Sequence, residues 1–273
     1  TPTTDQPLAL VEKAARAGVD IMLEKPLAMS VAEGLRMKEI IEETGVKFVL
    51  NFPKRFDDAN IKMVEMVKSG RLGRITYVRI RHSHYIYRTM GNGTWFAQPK
   101  YSGGGALFDE GSHALDQLLW MLGEPESVYG VMESVLGLDC DDTGVALFRY
   151  ANGAIGEVVS SGSMAAGEAC VEVYGTEGTA IISGTDMASR EFSQEPYFKY
   201  FLLQPERDGW KDGGITPDFK QGYFHQKCPH HFIEYIKGRG PAIVDIDHAL
   251  KTMLMAEKAY ESSREHKEIK LEF

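Results

Sequence analysis

Cysteine is scarce in this 273-residue chain: Cys140, Cys170 and Cys228 are the only three, and no two of them form a CxxC pair. An odd number of widely spaced thiols offers neither a disulfide framework nor a structural zinc site. The fold must then rest on packed cores, and a reducing, cytoplasmic setting is expected. Positive charge is in deficit, with 30 Lys and Arg against 39 Asp and Glu and a net charge of −9. That balance argues against nucleic acid and anionic membranes as partners. No apolar run approaches the ~20 residues of a membrane-spanning helix, and no internal repeat or low-complexity tract occurs. What is present, 43% hydrophobic and 25% charged residues, suits one or two domains with sizeable cores.

The most informative stretch is GSHALDQLLWML, residues 111–122. Leu115, Leu118, Leu119 and Leu122 fall at i, i+3, i+4 and i+7, one apolar face of a helix. Asp109, His113 and Asp116 share a second face that carries only ionisable groups. A helix of this kind can floor a cleft in which a histidine moves a proton with a carboxylate one turn away. The same spacing also describes an ordinary solvated face.

In chain order, Leu8, Val11, Ala14 and Ala15 repeat at helical spacing up to Gly18. Val19–Leu23 and Val46–Leu50 are short runs apolar on both faces, as in buried parallel strands. Between them Ser30 caps a helix expected to turn Leu35 and Ile41 inward and to stop at Gly45. Lys25 and Asn51 stand at the carboxyl ends of these strands, where chemistry gathers in open α/β sheets. A third helix is expected over Asp57–Lys68. After Gly70–Gly73 the pattern changes. Ile75–Tyr85 alternates like an antiparallel strand with one open face, which puts His82 and His84 on a sheet surface or substrate rim. Further strands are expected at Val128–Leu136, Thr143–Tyr150, Ala154–Ser161, Cys170–Tyr174 and Thr179–Ser183. Residues 184–224 read as long loops with one strand near Phe198–Leu203, and helices His230–Lys237 and Ile246–Glu265 close the chain. The expected class is α/β plus α+β: a partial parallel sheet over residues 1–72, then a larger, mainly antiparallel sheet covered by helices over residues 73–273.

Several segments also stand in a specific order. Thr1-Pro2 and a helix precede an apolar strand and Glu24-Lys25-Pro26-Leu27-Ala28. NFPKRF follows at residues 51–56, then Gly70-Arg71-Leu72-Gly73-Arg74-Ile75, Trp95, and Ser102-Gly103-Gly104-Gly105 leading into Asp109-Glu110-Gly111-Ser112-His113. Asp141-Asp142-Thr143, Val173–Gly178 and a last helix with Ala256, Ala259, Tyr260 and Ser262 add weaker signatures. Together these resemble the glucose–fructose oxidoreductase/inositol dehydrogenase (Gfo/Idh/MocA) group along nearly the whole chain.

The resemblance implies a Rossmann-type cofactor part (residues 1–72) and a substrate-binding, catalytic and oligomerisation part (residues 73–273). It implies an NAD- or NADP-dependent dehydrogenase or reductase that moves a hydride between the nicotinamide and a secondary alcohol of a sugar, inositol or related polyol. Lys25, Asp109 and His113 would be catalytic, with the Lys25 ammonium favouring the developing alkoxide, His113 taking the proton and Asp109 holding its tautomer. Thr1, Pro2, Glu24, Lys25, Pro26, Asn51 and Arg55 would lie on the cofactor side, Arg55 there or in a structural role. Tyr85, Arg88, Trp95 and Asp116 would meet the substrate beside the catalytic three, on a loop whose aromatic and hydrogen-bonding groups suit a polyol. Asp116 would accept a substrate hydroxyl or orient the helix. No metal is implied, a homodimer or homotetramer is, and the Lys25–Pro26 bond is expected to be cis.

A GxGxxG turn joining a first strand to a helix is missing from the sequence. The chain is therefore expected to be a C-terminal portion of such an enzyme. Two other readings stay open. One is a glycosidase or lyase that oxidises its sugar transiently with a retained nicotinamide. The other is a non-catalytic sugar-binding or oligomerisation protein.

Overall fold

The computed structural model describes residues 6–87, 95–186, 196–204, 209–215 and 223–273. Helix α1 (Pro7–Arg16) begins on a proline, whose missing N–H is no loss in a first turn. Strand β1 (Ile21–Glu24), helix α2 (Val31–Thr44) and strand β2 (Phe48–Asn51) follow, the two strands pairing in parallel with Glu24 opposite Asn51. The Ser30 hydroxyl caps α2 by accepting from the Glu33 N–H, and Gly45 ends it in the left-handed region. The buried face of α2 is Gly34, Met37, Ile40 and Ile41, whereas the expected Leu35 is about half exposed. The phase is set at Gly34, where an added Cβ would come within 2.7 Å of Leu250 from the C-terminal helix. Hydrophobicity alone does not register a contact made by the absence of a side chain. Helix α3 (Asp58–Lys68) is capped by Asp57.

The chain then builds a nine-stranded sheet from β3 (Ile75–Ser83), β4 (Ser127–Glu133), β5 (Thr143–Arg149), β6 (Ile155–Ser161), β7 (Glu168–Gly175), β8 (Gly178–Asp186), β9 (Phe198–Leu202), β10 (Lys211–Asp212) and β11 (Ile269–Lys270), in the order β10-β9-β8-β7-β3-β6-β5-β4-β11. β3 lies at its centre, antiparallel to β7 but parallel to β6. It is therefore antiparallel on one side only, while the expected alternation holds, with Tyr77, Arg79 and Arg81 partly exposed on one face. Val78, Ile80 and His82, which share one parity, are all buried.

Short helices α4 (Pro99–Ser102) and α5 (Ala106–Asp109) lead into α6 (Gly111–Leu122), which packs on β3 and β6. The leucine stripe of α6 is inward as expected, but so are Ser112, Asp116 and Gln117. The helix is buried nearly all round rather than lying with one face in solvent. Helices α7 (Tyr223–Ile236) and α8 (Ile246–Glu265) return to the first sheet. The Leu50 N–H donates to the Val244 carbonyl at 3.0 Å, and the Lys47 ammonium donates to the carbonyls of Tyr235 and Ile236, each at 2.9 Å. Helix α8 packs against both sheets.

Candidate active site

β1 delivers Lys25 at its carboxyl end, followed by a cis bond to Pro26. The Lys25 Nζ donates to the Asp109 backbone carbonyl at 2.9 Å and ion-pairs with Asp109 Oδ1. Asp109 therefore serves the ammonium, and the expectation that it orients His113 is revised.

The glycine lead-in fixes where α5 begins. The Asp141 carbonyl accepts the Ala106 N–H at 2.9 Å, and Asp141 Oδ2 accepts the Leu107 N–H at 3.0 Å. The Tyr260 hydroxyl accepts the N–H groups of Gly105 and Phe108, both at 3.2 Å, and donates to Asp141 Oδ1 at 2.7 Å. These contacts satisfy the orphan donors of a helix start. A Cβ on Gly105 would stand 2.0 Å from the Asp141 carbonyl oxygen, so only glycine fits. Asp141 and Tyr260 were visible in the sequence only as weak family signatures; their work is to seat α5, and hence Asp109.

His113 lies between two rings. Phe52 meets it edge-on, with centroids 5.9 Å apart and planes at 76°. His82 lies on it at 4.9 Å and 36°. The His113 Nδ1 is sealed from solvent without a hydrogen-bond partner, while the residue as a whole is partly exposed. The ring nitrogen left to a substrate is then Nε2. His82 is buried, with its Nδ1 3.0 Å from Glu110 Oε2. His82 was expected on a sheet surface or substrate rim and is instead buried, and Glu110 was not among the expected site residues. The parity shared with Val78 and Ile80 was the signal that His82 points inward.

The local charges divide cleanly. Burial works against the Lys25 charge, but Asp109, Glu110 and Glu24 outweigh it and hold its pKa above the ordinary lysine value. Burial pushes the Asp109 carboxyl up, and the ammonium beside it opposes that shift. Burial alone would also raise Glu110, yet the hydrogen bond from His82 and the Lys25 charge keep it well below the usual carboxylate range. His113 is lowered well below an ordinary histidine by burial first, then by the charge of Lys25 and by His82. His82 is lowered too, mainly by burial. The site therefore sets a fixed cation beside a neutral imidazole. Among the described residues, no group of three or more His, Cys, Asp and Glu is arranged to hold a metal ion.

Other expected residues fall elsewhere. Asp116 is fully buried and paired with Arg55 at 2.7 Å and with His248 Nε2 at 2.9 Å. Neither Asp116 nor Arg55 faces a ligand; both belong to an internal ion cluster, because the helix turns this part of its polar face toward the segment after β2 rather than toward a cleft. Glu24 and Asn51 meet across the strand ends, Asn51 Nδ2 donating to Glu24 Oε1 at 2.6 Å, and Asn51 Oδ1 is buried with no partner. Tyr85 lies two residues past the end of β3, and Trp95 stacks on Phe96 at 3.8 Å. Thr1, Pro2 and Arg88 lie outside the described residues. A cavity of about 500 Å³ opens beside the glycine lead-in, lined by Gly104, Phe108, Asp141, Met253, Glu257 and Tyr260 among others; Lys25 and His113 do not line it.

Comparison with known proteins bears on this arrangement. A model of the GFO/IDH/MocA C-terminal domain matches residues 61–181, and a model of an oxidoreductase family with an NAD-binding Rossmann fold, GFO_IDH_MocA, matches residues 1–52. The chain is 29% identical over 257 residues to scyllo-inositol 2-dehydrogenase (NAD(+)) of Bacillus subtilis, covering 90% of this chain and 69% of that protein. It is 25% identical to myo-inositol 2-dehydrogenase of Thermotoga maritima, covering 96% of this chain and 76% of that protein. Among solved structures, aldose-aldose oxidoreductase from Caulobacter crescentus complexed with glycerol superimposes with a TM-score of 0.83 at 25% identity, over 99% of this chain and 78% of that one. Levoglucosan dehydrogenase in complex with NADH and levoglucosan shares the fold at a TM-score of 0.86 and 20% identity, over 100% of this chain and 79% of that one.

Proposed function

The chain belongs to the GFO/IDH/MocA family of NAD-binding oxidoreductases, and from that premise we propose that it transfers a hydride between a nicotinamide cofactor and a secondary alcohol of a sugar, inositol or related polyol. The observation that supports this most directly is the Lys25–Asp109 ion pair at a parallel strand end, with a neutral His113 one helical turn on. The relatives named for inositol oxidation point to the same substrate class.

The residues at the strand ends suit the cofactor. Asn51 Oδ1 is a buried acceptor without a partner, and Glu24, Lys25, Pro26 and Asn51 would hold the nicotinamide end. When bound, the nicotinamide supplies the hydride acceptor or donor. Lys25 stays a cation and steadies the alcohol oxygen as its proton leaves. His113 accepts that proton at Nε2 and returns it in the reverse direction. Asp109 keeps the ammonium in place.

We place the division of labour near residue 72, with residues 1–72 on the cofactor side and 73–273 on the substrate and oligomer side. The outer face of the large sheet leaves Tyr129, Val131, Leu147 and Ile155 between 40% and 48% exposed. A second copy of the chain is the occupant this face suits, as a homodimer or within a homotetramer. Light scattering should show the oligomer, and Leu147→Lys should dissociate it. Three free, buried cysteines agree with a reducing, cytoplasmic setting.

The test of function is a screen of inositols and sugars with NAD⁺ and NADP⁺, read by nicotinamide absorbance. Substrate-dependent reduction that fails in Lys25→Met supports the proposal. Glycoside cleavage or elimination without net cofactor turnover would move the assignment to transient oxidation. Sugar binding with neither reaction would leave a binding protein.

A further inference from the structure

Two of the buried nitrogens without partners lie together in the active site. His113 Nδ1 and His82 Nε2 are both sealed from solvent and unpaired, and their rings lie 4.9 Å apart. Native structures rarely bury polar atoms unpaired, so each such atom needs an account. The chemistry of the two is complementary. His82 Nδ1 faces the Glu110 carboxylate, which only accepts, so the His82 proton sits on Nδ1 and its Nε2 carries a lone pair. If His113 takes the substrate proton at Nε2, its own proton sits on Nδ1. One orphan is thus a donor and the other an acceptor.

We propose that Glu110, His82 and His113 form a relay that is completed when His113 Nδ1–H turns to donate to His82 Nε2, a contact left unmade here with the two rings 4.9 Å apart, so that Glu110 and His82 act as positioning residues that set the tautomer of His113 and take over its second proton. This rests on the dehydrogenase reading. As the alcohol O–H bond breaks, an N–H bond forms at His113 Nε2. The His113 Nδ1–H bond breaks in turn and its proton moves to His82 Nε2. His113 ends neutral and His82 ends as an imidazolium against the Glu110 carboxylate, while a bound nicotinamide would be the acceptor for the hydride lost by the substrate carbon. Reduction runs the same transfers backward.

The surroundings fit a proton that is passed on rather than kept. The Lys25 ammonium at the end of β1 and the Lys54 ammonium after β2 disfavour a cation on His113 and on His82 alike, so what favours His82 as the final holder is its hydrogen bond to Glu110, while Phe52 covers the His113 edge. Glu110 from the α5–α6 junction and Asp109 from α5 are the carboxylates acting on His82, and Glu110 is the one bonded to it. A competing partner exists. A void of about 10 Å³ beside His82, lined by Lys54, Arg81 and Gln117 among others, has room for about one water. Such a water would serve His82 and uncouple the two rings.

The decisive measurement needs neither cofactor nor substrate. With the full chain ¹⁵N-labelled at histidine, the imidazole nitrogens of His113, assigned through His113→Gln, report its tautomer. A single Nδ1–H form is expected in the wild-type chain. Glu110→Gln should convert it to a mixture, because an amide can donate to His82 as well as accept from it and so releases the His82 tautomer. His82→Phe should do the same while keeping an aromatic ring against His113; thermal melts establish which variant is folded. In a folded variant whose tautomer has changed, kcat should fall about tenfold or more with KM little altered, and adding Glu110→Gln to His113→Gln should change nothing further. A His113 tautomer unchanged in a folded Glu110→Gln or His82→Phe chain overturns the relay. Absence of polyol oxidation alongside a coupled tautomer would overturn the functional reading and leave the relay standing.

Discussion

Asp116→Ala is expected to damage stability far more than chemistry. The Asp116 side chain is 0% exposed and that of Arg55 5%. Arg55 donates to the carboxylate through contacts of 2.7, 2.9 and 3.2 Å, with Trp120 packed 4.8 Å from the guanidinium carbon. Removing the carboxylate strands a buried guanidinium, and breaking such a pair costs about 3–5 kcal/mol. With a urea slope of about 2–3 kcal/mol per molar, the unfolding midpoint should fall by about 1–2.5 M. Replacing both charges, as in Arg55→Met/Asp116→Leu, should recover most of the loss, since the cost lies in the unpaired partner. Acid titration gives an independent check. Burial would raise the Asp116 carboxyl, but Arg55 and His248 prevail and hold it below its ordinary value. Its stabilisation is therefore complete above the unfolded carboxyl pKa of ~3.9 and is lost as the pH falls through the lower folded value. Asp116→Asn should remove that part of the acid-side decline. A urea midpoint left unchanged, together with a raised KM, would refute this reasoning and return Asp116 to the substrate.

Lys25→Met and His113→Gln should each lower kcat by about 10²-fold or more; a near-normal rate in either removes that residue from the mechanism. Lys25→Met should also lower the unfolding midpoint, because it strands the Asp109 carboxylate, whereas His113→Gln should unfold close to the parent chain. Gly105→Ala should cost about 1–3 kcal/mol by pressing a methyl onto the Asp141 carbonyl, read as a lowered thermal midpoint. For alcohol oxidation, kcat/KM should stay flat through neutral pH and fall only on acidification, because the lowered pKa of His113 keeps the accepting imidazole neutral until then. An acid limb at or above the ordinary histidine value of ~6.5 would contradict it.

Local chemistry made much of this protein legible from its letters. Ser30 capped the helix that follows it, the third helix was placed to within one residue, Lys25 and Asn51 stood at strand ends, and Ile246–Glu265 was bounded as found, since each signal depends on residues within a turn or two. The leucines of residues 111–122 named the inward face of that helix for the same reason. Helical spacing also put Asp109, His113 and Asp116 together, but it says only which residues share a side, never what that side meets. Tertiary packing brings three different elements to it. Asp109 pairs with Lys25, 84 positions away; Asp116 pairs with Arg55, 61 positions away; and His113 lies on His82, whose own partner Glu110 is 28 positions from it. Which carboxylate becomes an ammonium's anchor, which an internal counterion and which a histidine's acceptor follows from the strand or turn that each faces, because at these distances the partner's charge and the loss of water, not the residue's own type, set its protonation and its role.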